Sequence, residues 1–226
     1  MRTVTDASTG ELRFKEIEHK FVVGEHFDLD GFDGALQTLG PTRMTSLRVL
    51  DTYYLINGSR AGQFVIRHRY DSELHHLTLK TLETDTEVRD EINIDLGHHA
   101  GDQRAQVEAF LGRLGVEWTG ALQKDLKVWY FSDVEVVHYR ASTDTREIHC
   151  VEFEATRKRS LPEALETLRR YEHATGFSDA TRSQRSLLQL LFPEVADLTY
   201  HSSDGPAPDP AIEQAGREHD AVKKRT

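Results

Sequence analysis

The segment Glu16-Ile17-Glu18-His19-Lys20 restricts what this chain can fold into more than any other. It lies in a run that reads as a β-strand, and side chains on a strand alternate between two faces. Glu16, Glu18 and Lys20 therefore share one face, while Ile17, His19 and Phe21 share the other. Neighbouring carboxylates repel, and an unpaired charge in a protein interior is costly. Such a face is stable in open water, as the outer side of an ordinary sheet, or where cations and an ionic ligand complete it.

Recurrence favours the second alternative. Glu152-Phe153-Glu154 repeats the pattern near the far end, Arg67-His68-Arg69 repeats it with bases, and Arg89-Asp90-Glu91 repeats it with mixed sign. Four strands with charges at i and i+2 point to one polar cavity lined from several sides. The chain has 226 residues, ample for a proper core. Its 38% hydrophobic and 29% charged residues suit a folded soluble protein. A formal net charge of −10 argues against nucleic-acid binding by the whole surface, so any basic site must be local. Cys150 stands alone, which excludes an intramolecular disulfide and fits a reducing cytosol. No window approaches the roughly 18 apolar residues of a membrane helix. The expectation is a cytoplasmic protein with neither nucleic-acid nor membrane partners, and the sequence leaves a homodimer open.

In chain order, residues 1–10 read as frayed, and strands are expected at about 12–23, 43–56, 63–70, 74–82, 87–96, 122–131, 134–140 and 148–155. Asn57-Gly58 reads as a hairpin turn. Helical spacing predicts helices over 32–39, 102–114, 161–174 and 182–191. The second has Asp102 as N-cap, Gly115 past its end, and Val107, Phe110, Leu111 and Leu114 on its apolar stripe. Pro162 suits the first turn of the third, with Gly176 after its end. Residues 11–195 read as one domain, and 196–226, with Pro206, Pro208 and Pro210, as a disordered tail.

Eight mostly antiparallel strands with charged inward positions predict an α+β protein built on a closed eight-stranded antiparallel β-barrel, a tunnel with flanking helices. Acids fall on the first, fifth and last strands as Glu16, Glu18, Glu91, Glu152 and Glu154. Bases fall between them as Arg67, Arg69, Lys80 and Arg89, with Lys20 beside the first acids and Lys124 or Lys127 later. Hard carboxylate oxygens suit Mg²⁺ or Mn²⁺, and arginine forks and lysine ammonium groups suit phosphate. A lining of both signs points to a polyphosphate or a nucleoside triphosphate bridged to the acids by metal ions.

Glu16-Ile17-Glu18-His19-Lys20 resembles the ExExK signature of the CYTH superfamily, the triphosphate tunnel metalloenzymes. The similarity continues through Asp51-Thr52-Tyr53-Tyr54, Arg67-His68-Arg69, Thr78-Leu79-Lys80, Arg89-Asp90-Glu91, Val151-Glu152-Phe153-Glu154 and Arg182-Ser183, over about residues 12–192. It implies an eight-stranded tunnel that binds triphosphate-containing small molecules with a divalent metal. Position by position it implies Glu16, Glu18, Glu152 and Glu154 as metal ligands. It implies Lys20, Arg67, Arg69, Lys80, Arg89, Lys124 and Arg182 as phosphate-binding groups, and Lys20 and Glu91 as catalytic groups.

The chain also departs from that pattern. Lys124 is followed two positions on by Leu126 where the family commonly has a second base, and Lys127 is out of step. The seventh strand offers no acid within Val136-Val137-His138-Tyr139-Arg140, with Glu135 the nearest, and Ser183 is followed by Gln184 where the family usually has tyrosine. His75-His76 and His98-His99 read as surface loop histidines and not as a zinc site. Cys150 reads as a small wall residue, Trp118, Trp129 and Phe131 as core outside the barrel, and Arg182 and Arg185 as one turn of a helix, on a solvated face or over the tunnel mouth. Three functions fit: a metal-dependent triphosphatase, a class IV adenylate cyclase, and a non-catalytic polyphosphate or nucleotide sensor.

Overall fold

The fold is set by how eight strands close on themselves in a computed structural model that describes residues 12–58, 62–82 and 87–195. The strands are β1 (Lys15–Val23), β2 (Arg43–Gly58), β3 (Gly62–Tyr70), β4 (His75–Thr81), β5 (Val88–Asp95), β6 (Val116–Tyr130), β7 (Val134–Ser142) and β8 (Glu147–Ala155). They pair in the order β1-β5-β4-β3-β2-β6-β7-β8 and back to β1, so the barrel is closed. All of its pairings are antiparallel. Closure gives every strand a hydrogen-bonded neighbour on both sides, although β1 and β5 pair only over Lys15–Ile17. It also gives each strand an interior and an exterior face.

Among the described residues four α-helices flank the barrel: α1 (Leu29–Thr38), α2 (Arg104–Leu111), α3 (Leu161–Ala174) and α4 (Leu187–Leu191). Asp28 caps α1 by accepting a bond from Gly31 N at 2.9 Å, and Ser160 caps α3 by accepting from Glu163 N at 3.3 Å. Phe32 and Leu36 of α1 and Ala164, Leu168 and Tyr171 of α3 pack over outward side chains of β1, β6, β7 and β8, including Ile17, Phe21, Trp129, Val136, Val151 and Phe153. Val107 and Leu111 of α2 cover Tyr54 and Ile56 of β2. The core thus lies largely outside the barrel, and its interior is left for other groups.

Several boundaries differ from the sequence reading. β6 begins six residues earlier than its expected start at 122, because Val116–Ala121 pairs with the far half of β2. Asn57 and Gly58 belong to β2, opposite Gln63 and Gly62, and so are strand residues and not the expected turn. Gln103 takes the N-cap place of α2, although Asp102 still accepts a bond from Arg104 N at 3.0 Å. Gly115 has φ +78°, as a left-handed stop requires. The α2 stripe is narrower than its spacing suggested, since only Val107 and Leu111 are buried while Phe110 and Leu114 face outward.

The largest correction is the last helix. Residues 182–186 run as an extended strap that donates Ser183 N to Lys20 O at 2.7 Å, and α4 begins only at Leu187. A capping box between Ser186 and Gln189 starts it there. Leu187, Leu188 and Leu191, with Phe192 and Val195, then pack on the inward residues Tyr53, Leu55, Val65, Leu122, Tyr139, Ala141 and Cys150. This helix plugs one end of the barrel. Trp118 meets Phe192 at 4.9 Å there, so it belongs to the plug and not to the outer core, whereas Trp129 and Phe131 do lie outside. Gly120 makes room for it, because a Cβ at that position would stand 2.3 Å from the Trp118 ring.

Candidate active site

Strand alternation turns one residue in two toward a cavity of about 500 Å³ inside the barrel. Its lining includes Glu16, Glu18 and Lys20 from β1, Arg89, Glu91 and Asn93 from β5, Lys80 from β4, Arg67 and Arg69 from β3, Lys124 from β6, Glu135 and Tyr139 from β7, and Glu152 and Glu154 from β8. Ser186, Leu187 and Leu188 border it at the plugged end. All of the predicted site residues except Arg182 therefore converge on one enclosed space.

Within it the charges interlock. Lys80 Nζ lies 2.7 Å from both Glu16 Oε1 and Glu91 Oε2. Arg89 pairs with Glu16 through Nε and with Glu18 at 2.8 Å through Nη2. Lys20 Nζ lies 3.0 Å from both Glu18 Oε1 and Glu152 Oε1, and Tyr139 OH donates to Glu152 at 2.7 Å. On the β2 and β3 side, Asp51 receives Arg69 Nε and Nη2 at 2.7 Å each and has Lys124 Nζ at 3.4 Å. Arg67 differs. It donates to Thr78 Oγ1 at 3.0 Å, its Nε is buried without a partner, and no carboxylate among the described residues pairs with it.

The carboxylates divide accordingly. Burial raises the Glu16 carboxyl, but Arg89 and Lys80 outweigh it and hold it well below the usual range. Burial likewise opposes ionisation of Glu152, yet Lys20 and Lys124 bring it down to about 2. Asp51 is held far below by Arg69 and Lys124 despite its burial. Glu154 goes the other way, raised well above the usual value by burial and by the charges of Glu16, Glu91, Glu135 and Glu18. Burial also raises Glu135, and no base among the described residues stands within ion-pair distance of either group. The cavity thus crowds acids around Glu154 and Glu135, where ionisation is disfavoured for want of a cation, and among the described residues no carboxylate pairs with Arg67.

Some expectations change here. Arg182 does not border the cavity; it pairs with Glu87 at 3.0 Å and with Asp179, and its Nη2 lies 3.9 Å from Glu172, the buried partner of His19. It lies on neither a solvated helix face nor over the mouth, because the strap turns its side chain toward α3 and leaves it 11% exposed. β7 does present an acid, since Glu135 pairs in register with Glu154 and points inward. Lys127 faces outward to Asp33 at 3.2 Å. His75 is buried in β4 with its Nε2 3.2 Å from His68 Nε2, not in a surface loop, and His76 borders the cavity. Cys150 is fully buried, its thiol pushed up to about 12 by burial and by Glu152. The role of Asp51 as the counter-charge to Arg69 was not read from the sequence; its i+2 partner Tyr53 is not charged, so the doublet pattern missed it. Tyr139 was missed for the same reason.

Carboxylate oxygens are the right donors for a hard divalent ion. In the present arrangement Glu16, Glu18 and Glu152 hold lysine and arginine, and no three His, Cys, Asp or Glu residues among those described stand grouped around one ion position. Residues 15–187 match the family model described as the CYTH domain. The chain belongs to the CYTH domain family. Solved structures with this fold include the PH1012 protein of Pyrococcus horikoshii OT3, at 18% identity and TM-score 0.62, covering 78% of this chain and 99% of that one. A conserved hypothetical protein of Pyrococcus furiosus aligns at 24% identity and TM-score 0.58 over 78% and 99%. The PH1819 protein of Pyrococcus horikoshii OT3 aligns at 18% and 0.58 over 79% and 99%. No curated protein matches the chain in sequence. This CYTH chain contains no described helix long and apolar enough to cross a membrane.

Proposed function

We propose that this CYTH protein is a cytoplasmic, Mg²⁺- or Mn²⁺-dependent hydrolase that releases phosphate from triphosphate-containing small molecules. The observation that carries this reading is one enclosed cavity in which, among the described residues, Arg67 has no carboxylate partner and the crowded acids Glu154 and Glu135 have no base within ion-pair distance. A ligand that is itself strongly anionic and arrives with a divalent cation satisfies both sides at once. Neither a neutral ligand nor a bare metal ion does so.

Glu16, Glu18, Glu152 and Glu154 would hold the metal, which when bound supplies positive charge to the phosphoryl oxygens and lowers the pKa of water. Arg67, Arg69, Lys80, Arg89, Lys124 and Lys20 would hold phosphate oxygens, neutralising the charge that spreads toward the leaving group. Lys80 and Arg89 are bound to Glu16 now. Ligand binding would exchange those carboxylates for phosphates. Glu91, hydrogen-bonded by Asn93 Nδ2 at 2.8 Å, would orient the attacking water. Arg182 is left as a structural residue of the strap.

Phosphate release from tripolyphosphate, ATP and thiamine triphosphate under Mg²⁺ and Mn²⁺ tests this. Metal-dependent release is expected, and Glu16→Ala or Glu18→Ala should abolish it while the circular dichroism spectrum is retained. Cyclic AMP as the product of ATP, ligand binding without turnover, or undiminished activity of those variants would overturn it.

A further inference from the structure

The cavity wall is not charged all round. In the strand order, β2, β6 and β7 lie across the barrel from β1, β5 and β4. The second group contributes Glu16, Glu18, Lys20, Arg89, Glu91 and Lys80, whereas the first contributes, between Lys124 on one side and Arg43 and Glu135 on the other, an apolar patch of Leu47, Leu126, Val128 and Val137. These four are contiguous, because Leu47 is opposite Leu126 and Val128 is opposite Val137 in the strand registers. Tyr130 continues the wall from β6.

An apolar wall inside a barrel is ordinary core when other side chains fill the space in front of it. Here the filling is incomplete. Leu47, Leu126 and Val137 are only half-buried although they face inward, and the plug helix covers just the end of the cavity. Apolar surface left facing water is unfavourable by roughly 25 cal/mol per Å², so a ligand gains by covering it. Three phosphoryl groups cannot do so, since they need donors and cations.

We propose, resting on the function inferred above, that Leu47, Leu126, Val128 and Val137 form a specificity wall for the organic group of the substrate. The preferred substrate class is then a triphosphate monoester of an apolar or aromatic alcohol. The phosphates lie along Arg67, Lys80 and Arg89, and the organic group lies against the opposite wall. The cavity of about 500 Å³ is in the range that encloses small organic ligands.

The test is calorimetric binding to the full chain of inorganic tripolyphosphate, methyl triphosphate and phenyl triphosphate, with metal chelated and with Mg²⁺. The two esters carry the same charge, so their difference reports the organic group. Phenyl triphosphate should bind at least tenfold tighter than methyl triphosphate, with the more negative heat-capacity change that apolar burial gives. Leu126→Asn and Val137→Thr, each close to isosteric, should bring the phenyl-to-methyl ratio to within about twofold, with folding checked by thermal melts. Equal binding of the two esters, or a ratio unmoved in both folded variants, overturns the specificity wall while leaving the triphosphatase reading intact. If none of the three binds, both fail.

Discussion

Asp51 is the residue on which the basic half of the cavity turns. Its carboxylate is fully buried, accepts both arms of Arg69 and faces Lys124, so one of their two positive charges is offset before any ligand arrives. Asp51→Asn keeps the shape but leaves buried positive charge uncompensated, and about 3 kcal/mol of stability should be lost in urea unfolding. Glu154 presents the opposite case, a buried carboxyl crowded by other acids and raised well above its usual value. A raised carboxyl stabilises the fold below its unfolded pKa, and that contribution is lost as pH rises through the folded value. Metal-free Glu154→Gln should therefore melt at a higher temperature than the parent chain, with a wider gap at pH 8 than at pH 5. A gap that narrows with rising pH would count against this assignment.

Among the elements, α4 decides whether the barrel is a through-tunnel or a cup. A helix of 5 residues has little stability of its own, so its capping box and the burial of Leu187, Leu188 and Leu191 against inward barrel residues must hold it. Leu191 is 2% exposed, and Leu191→Ala should cost roughly 2–4 kcal/mol in equilibrium unfolding. The strap before α4 is anchored by Ser183 N to Lys20 O and by Arg182 to Glu87. Its sequence looked helical because Arg182, Arg185 and the leucines repeat at one-turn spacing. The hydrogen bond to β1 and the Arg182–Glu87 pair outcompete that local preference over its first half.

For the molecule as a whole, a ligand that bridges the acidic and basic sides should stabilise the barrel through linkage. Tripolyphosphate together with Mg²⁺ at about 100 times its Kd should add about 2.7 kcal/mol, measured as a rise in melting temperature, and EDTA should remove the part of it that depends on metal. The barrel and its charged lining were legible in the alternation of Glu16 with Glu18, Arg67 with Arg69 and Glu152 with Glu154, because strand parity is a local property that makes such residues share a face. Parity says nothing of what stands across the barrel. Glu135 facing Glu154, Asp51 between Arg69 and Lys124, Arg182 turned away to Glu87, the apolar wall opposite the charged one and the plug at one end all arise from closure, which brings together residues that the chain keeps far apart.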